Sequence, residues 1–312
     1  MFKHKLCILF PGQGSQEKGM GRDIAESDKD IMDIWKTAEK ISGYPLREIF
    51  WDGEPEDMVK TIYQQPALCV VGISIWMKLN PHPFCLAGHS VGEYPALIVS
   101  RVLSLKDGLR LVSLRGKLMY EAGLTLPGKM AAILKLGQKD VEGIVNEVVD
   151  KTNKVLCIAN YNSPQQFVVS GDEEAVDMAV EIAKKKKARA VVLPVSGAFH
   201  SSLMAEPAKE LAWIMNKVHW KNSRFPIFFN ATATPETDGE KIKEIMKKQM
   251  ISPVYFTQII EKQWDSGVRT WWEFGPKGVL SGLIKRILKD RKEKWEAIGL
   301  DTNEKIAHLS HS

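Results

Sequence analysis

The stretch Phe84-Cys85-Leu86-Ala87-Gly88-His89-Ser90-Val91-Gly92-Glu93 constrains this chain more than any other. An apolar run leads into Gly-x-Ser-x-Gly, and a second apolar segment, Ala96-Leu97-Ile98-Val99, follows it. Strand, sharp turn, helix is the order this motif requires when its serine is a nucleophile. Gly88 and Gly92 let two backbone segments pass closely, so Ser90 stands exposed at a strained turn over the end of a strand. A helix starting just after Ser90 aims free N–H groups and a partial positive charge at an oxyanion formed there. A turn of small residues that binds nothing carries the same signature, so the rest of the chain decides between the two.

The chain has 312 residues, 44% of them hydrophobic and 26% charged. That is room for one large domain plus an insertion, with the balance of an ordinary soluble globular protein. The net charge of +5 suits a phosphate-bearing or acidic partner and is too small to imply nucleic acid. Cys7, Cys69, Cys85 and Cys157 form no C-x-x-C pair, and three of them lie in apolar runs. They read as reduced core thiols of a cytosolic protein. After the basic start Lys3-His4-Lys5, Leu6 to Phe10 is too short for a signal-peptide core. No stretch approaches the roughly 18 apolar residues of a membrane span. A cytoplasmic location is expected. No His/Cys/Asp cluster has ligand spacing, so no metal is expected.

Leu6 to Phe10 reads as a short buried strand running into Pro11-Gly12-Gln13-Gly14-Ser15-Gln16. Ile31, Ile34, Trp35, Ala38 and Ile41 repeat at helical spacing, and Gly43 ends that helix. Pro66 reads as the opening of a helix from Ala67 to Leu79. Ser104 with Asp107 marks another helix start, and Gly123 its stop. After Leu126-Pro127-Gly128 the rhythm changes. Met130 to Leu136 reads as a strand, Val141 to Val149 as a helix, and Val155 to Ala159 and Gln166 to Ser170 as strands. Glu173 to Lys187 then reads as a helix and Arg189 to Val195 as a strand. This β-α-β-β-α-β order is the ferredoxin-like pattern. It sets a small domain at 127–197 inside a larger one made of 1–126 and 198–312.

In the larger unit, Ser202 to Val218, Lys241 to Met250, Phe256 to Trp264 and Val279 to Leu288 read as helices. Pro226 to Asn230 and Arg269 to Phe274 read as strands, and the polar tail from Asp301 is expected to be mobile. Four short apolar strands separated by helices argue for a parallel sheet covered on both faces.

Leu105, Leu109, Val112 and Met119 share one helix face, and at about 100° per residue Arg115 falls inside that apolar arc. A buried guanidinium without a partner is costly. Its partner is therefore either an internal carboxylate or the carboxylate of a substrate. A serine hydroxyl also needs a base. Of the seven histidines, His4, His308 and His311 sit near polar termini, His82 lies between prolines, and His219 lies near a helix end. His89 adjoins the serine, where neighbouring side chains point apart. His200 remains. In Gly197-Ala198-Phe199-His200-Ser201 it follows a strand and precedes a helix, where α/β sites form.

Together with Phe10-Pro11-Gly12-Gln13-Gly14-Ser15-Gln16, Arg115-Gly116-Lys117-Leu118-Met119 and Asn160-Tyr161-Asn162-Ser163-Pro164, these segments occur in one order. In that order they closely resemble the malonyl-CoA:acyl carrier protein transacylases, from about Leu6 to Leu288. The resemblance implies an α/β fold: an α/β-hydrolase-like large domain with a parallel sheet core, plus an inserted ferredoxin-like small domain. It makes Ser90 the nucleophile and His200 its general base and acid. It gives the oxyanion hole to the backbone N–H groups of Gln13 and Val91, and the malonyl carboxylate to Arg115. Phe199 matches the lining of the α-carbon pocket, and the main-chain carbonyl of Gln249 matches the group that orients the histidine. No acidic third member is then required, because a carbonyl accepts the Nδ1 hydrogen bond.

The implied reaction is ping-pong acyl transfer. Ser90 takes malonyl from malonyl-CoA and passes it to the phosphopantetheine thiol of an acidic acyl carrier protein met transiently, supplying fatty acid synthesis. No bound cofactor, metal, nucleic acid or membrane is implied, and a monomer is expected. A serine thioesterase or other hydrolase shares Ser90 and His200. A trans-acting acyltransferase loading a polyketide synthase carrier protein shares every motif, and a non-catalytic acyl-CoA-binding protein forms no covalent adduct. Two positions depart from the family pattern: Pro95 stands where a small residue is usual, and Lys277-Gly278 inverts Gly-Lys.

Overall fold

The apolar runs marked as strands pair with one another in a computed structural model that describes residues 5–195 and 197–309. Lys3, His4, Ser196 and His311 lie outside the described residues. In chain order, β1 (Lys5–Phe10) is followed by α1 (Arg22–Glu26), α2 (Lys29–Ser42), α3 (Pro55–Met58) and α4 (Thr61–Leu79). Then come β2 (Cys85–Gly88), α5 (Glu93–Val99) and α6 (Leu105–Thr125). The middle of the chain gives β3 (Lys129–Leu134), α7 (Gln138–Thr152), β4 (Leu156–Ser163), β5 (Gln166–Gly171), α8 (Glu173–Lys185) and β6 (Arg189–Val192). It continues with α9 (Ala205–Met215), β7 (Ile227–Phe228), β8 (Pro235–Glu236), α10 (Gly239–Lys248) and α11 (Phe256–Asp265). The last elements are β9 (Val268–Phe274), α12 (Val279–Ile287), β10 (Glu296–Leu300) and α13 (Asn303–Leu309).

The larger sheet has the order β10-β9-β1-β2-β7-β8. Its neighbours are parallel except for the short β8, which closes one edge antiparallel to β7. Period-two geometry sends alternate residues of β1 to opposite faces. Leu6, Ile8 and Phe10 enter one core with Trp35, Val71 and Tyr94. Cys7 and Leu9 enter another with Phe256, Trp271 and Leu280. A parallel sheet covered on both faces follows.

The smaller sheet, order β4-β5-β3-β6, is antiparallel throughout, as the ferredoxin-like order requires. Ala131 and Ile133 of β3 pack under α7 and α8 with Val141, Ile144 and Val176. Met130, on the opposite face, joins the core of the larger unit. The chain is therefore an α/β-hydrolase-like unit carrying a ferredoxin-like one, with a cleft between the two sheets.

Several local expectations need correction. Pro66 does not open its helix: α4 begins at Thr61 and carries Pro66 inside it. Gly123 does not stop α6, which runs on to Thr125. The stop comes from Pro127, which disfavours helical backbone at Leu126, where φ is −121°. β10 adds a strand that the apolar pattern does not mark, since its segment exposes Glu296 and buries only Ala297 and Leu300. Nor is the tail from Asp301 loose along its described length. Asn303 bonds the Asp23 carbonyl at 2.8 Å, and α13 buries Ile306. All four cysteines are free.

Candidate active site

β2 ends at Gly88, and Ser90 follows with a φ of 53°, in the left-handed region that disfavours a side chain. The turn is forced by crowding. A Cβ on Gly88 would meet the Gly92 carbonyl carbon at 2.0 Å, and one on Gly92 would meet the Phe10 oxygen at 2.0 Å. Two amide side chains hold the strained residue. Ser90 N–H donates to Asn230 Oδ1 at 2.6 Å, and Gln249 Nε2 donates to the Ser90 carbonyl at 2.7 Å. Asn230 is itself fixed, since its Nδ2 donates to the Gly88 carbonyl at 2.6 Å.

His200 also has a positive φ, 59°. Ser201 pins the turn by donating to the Ala198 carbonyl at 2.6 Å. His200 Nε2 lies 2.8 Å from Ser90 Oγ. Nδ1 faces two carbonyl oxygens, that of Ser252 at 2.9 Å and that of Gln249 at 3.2 Å. Carbonyls only accept, so Nδ1 carries the hydrogen and Nε2 is free to accept the serine proton. Burial first, and the positive Arg115 second, push the His200 pKa down to about 3. The ring is a neutral base at any ordinary pH.

Arg115 is 1% exposed. Its Nε donates to Gln249 Oε1 at 3.0 Å, Nη1 to Gln65 Oε1 at 2.8 Å and Nη2 to Ser90 Oγ at 3.1 Å. Among the described residues no carboxylate forms an ion pair with it. The internal salt bridge that sequence left open is therefore not what holds it. Its hydrogen-bond partners are neutral and burial lowers its pKa; the attraction of the nearby Glu93 carboxylate offsets that only in part and without a direct contact.

A cleft of about 180 Å³ opens over these groups, lined by Gln13, Ser90 and His200 from the larger unit and by Met130, Asn160 and Leu193 from the smaller. Phe199, 4% exposed, lines it beside the histidine. Val91 is buried directly after Ser90. His89 lines the same cleft, with its Nε2 2.8 Å from Asn162 Oδ1, joining the two units. Burial lowers its pKa. Among the described residues no group of three or more His, Cys, Asp or Glu could hold a metal ion. No described helix is long and apolar enough to cross a membrane.

Sequence reasoning missed Gln65, Asn230 and Ser252. Ser252 acts through a main-chain carbonyl, which any residue type supplies. The two amides reach the site from distant elements, and no spacing rule connects them to Ser90.

A family model described as the acyl transferase domain matches residues 8–307. The malonyl CoA-acyl carrier protein transacylase of Staphylococcus aureus (strain MSSA476) is 39% identical over 290 residues, covering 92% of this chain and 94% of that one. Among solved structures, an acyl carrier protein S-malonyltransferase from Vibrio cholerae superposes with a TM-score of 0.91 at 35% identity, covering 98% of this chain and 99% of the other. A malonyl-transacylase solved in complex with its type II PKS acyl-carrier protein gives a TM-score of 0.92 at 33% identity, covering 99% and 100%.

Proposed function

This chain belongs to the acyl transferase domain family, and we propose that it transfers the malonyl group of malonyl-CoA to the phosphopantetheine thiol of an acyl carrier protein, supplying fatty acid synthesis. The observation that carries the reading is the 2.8 Å contact of Ser90 Oγ with the unprotonated nitrogen of His200, beside a buried arginine whose direct hydrogen-bond partners are all neutral.

His200 Nε2 takes the proton as Oγ attacks the thioester carbonyl and the C=O pair moves onto oxygen. Ser90 N–H is committed to Asn230; as the family resemblance implies, the N–H groups of Gln13 and Val91 hold that oxyanion. Collapse breaks the C–S bond, the thiolate takes the proton from His200, and coenzyme A leaves. The carrier thiol then gives its proton to His200 and attacks the serine ester by the reverse steps. Arg115 pairs with the malonyl carboxylate, and Phe199 lines the α-carbon pocket.

On this reading residues 127–197 form the inserted domain of a cytoplasmic monomer whose other domain comprises 1–126 and 198–312. It works without a bound cofactor or metal, away from nucleic acid and membrane, and meets an acidic carrier protein transiently; its net charge of +5 supports that last point. Incubation with malonyl-CoA followed by intact mass measurement should show one malonyl adduct on Ser90, absent from Ser90→Ala. An adduct on another residue, or none on the wild type, would overturn the proposal.

A further inference from the structure

Glu93 is a fully buried carboxylate in the first turn of α5 that the chemistry above does not use. Both of its oxygens face donors. Oε1 accepts from Asn230 N–H at 2.6 Å and Oε2 from Gln249 Nε2 at 2.6 Å. A protonated carboxyl would need an acceptor and finds two donors instead, so this arrangement belongs to ionised Glu93. Gln249 gives its other amide hydrogen to the Ser90 carbonyl, which leaves Oε1 turned toward Arg115 Nε. Only its partners decide which way round a glutamine amide sits. Here Glu93 is an acceptor with no donor to offer, so the amide has one orientation.

We propose that Glu93 is a positioning residue for acyl selectivity: it locks the Gln249 amide and thereby aims Arg115 at the carboxylate of the incoming acyl group. This rests on the role given to Arg115 above. Replacing Glu93 by Gln sets an amide nitrogen against a donor whichever way the new side chain turns. Facing Gln249, it either confronts Nε2 or forces Gln249 to turn over and present Nε2 to Arg115 Nε. Facing Asn230, it confronts a main-chain N–H that cannot turn. A purely electrostatic role has the opposite sign. A negative charge near Arg115 competes with an acyl carboxylate, so its removal would favour malonyl.

The experiment compares kcat/KM for malonyl-CoA and acetyl-CoA in the wild type, Glu93→Gln, Gln249→Met and the double variant. Because burial pushes the Glu93 carboxyl up to about 7, rates are read at a pH near 8. The malonyl-to-acetyl ratio should fall about 5- to 150-fold in Glu93→Gln, the range for a buried polar partner left unmatched. Gln249→Met should lower it too, and the double variant should lose no more than Gln249→Met alone, since Glu93 acts through that amide. A ratio unchanged or raised in Glu93→Gln, or additive losses in the double variant, overturns the proposal. If Glu93→Gln does not fold, Glu93→Asp, which keeps the charge but draws it back by one methylene, should lower the ratio by a smaller factor. An unchanged ratio there overturns the proposal equally. Arg115→Ala run in parallel separates the two readings. Equal losses on both acyl groups would overturn the role of Arg115. A selective loss there beside an unchanged ratio in Glu93→Gln would overturn that of Glu93 alone.

Discussion

Truncating Arg115 to alanine should abolish the preference for a dicarboxylic acyl group while leaving the enzyme folded. A guanidinium has five N–H donors. Three are occupied, by Gln249, Gln65 and Ser90. One remains on each terminal nitrogen, the fork that binds a carboxylate through two parallel bonds and that lysine cannot reproduce. The site is 1% exposed, so water screens such a pair little. Removing one partner of a desolvated charge pair costs about 2–5 kcal/mol, or roughly 30- to several-thousand-fold in kcat/KM. Acetyl-CoA has no distal carboxylate, so its transfer should be equal or faster. No carboxylate among the described residues loses a hydrogen-bonded partner, although buried Glu93 loses the attraction of the guanidinium. The orphaned groups are the Gln65 and Gln249 side-chain oxygens, at about 1–3 kcal/mol each, offset by release from burying a charge. Parallel kcat/KM values with the two thioesters, and a melting curve for each variant, decide the matter. Equal losses on both substrates with a lowered melting temperature would show that Arg115 supports the fold and does not read the substrate.

Two further outcomes can be checked on the same preparations. Phe199→Ser should raise the methylmalonyl-to-malonyl rate ratio, by roughly 10- to 200-fold at most, since one methyl in an apolar pocket is worth about 1–3 kcal/mol; an unchanged ratio in a folded variant refutes the pocket role. His200 titrates at about 3 in the native protein against an ordinary 6.5. Between those values the unfolded chain binds a proton that the native one refuses, so stability falls as pH drops through that window, on the order of a few kcal/mol in all. Buried Glu93, raised from 4.5 to about 7, acts with the opposite sign, and its effect cancels when wild type is compared with His200→Gln. Denaturant melts should therefore show His200→Gln gaining on the wild type as pH falls from 7.5 to 4.5, and a constant gap would refute the buried neutral base.

How far the sequence discloses this site depends on what kind of signal each residue leaves. Ser90 is legible because crowding at Gly88 and Gly92 forces glycine at fixed offsets. Arg115 is legible because its phase on α6 contradicts its chemistry. Gln249 shows why the rest was hidden. Family likeness pointed to its main chain, but its side chain also touches Ser90, Glu93 and Arg115. Nothing in one residue letter records four contacts. The two departures are accommodated locally. Pro95 lies within the first turn of α5, where N–H groups have no intrahelical partner, and the bare backbone of Gly72 makes room beside it. Lys277 and Gly278 both take positive φ, 66° and 61°. The inverted order turns the lysine so that Nζ donates to the Gln16 carbonyl at 2.6 Å, bracing the loop that carries Gln13.

Among the described residues no carboxylate stands behind His200, and that suits the proposed chemistry better than a full triad would. An aspartate at Nδ1 would raise the imidazole pKa. Two carbonyl oxygens orient the ring without adding charge, and Arg115 lowers its basicity further. In the proposed mechanism the imidazolium formed during attack is then a strong acid, quick to protonate a leaving thiolate whose thiol has a pKa of about 8.5. In the second half-reaction the same weak base meets either a thiol of that acidity or water, with a pKa of 15.7. Because the same base also serves the Ser90 hydroxyl, which is about as weakly acidic as water, the preference for the carrier lies in the thiol's own acidity and nucleophilicity. The malonyl-serine ester should therefore persist in buffer and disappear quickly once carrier protein is added, as followed by intact mass over time. Decay as fast without the carrier as with it would make the protein a hydrolase and refute the preference for thiols.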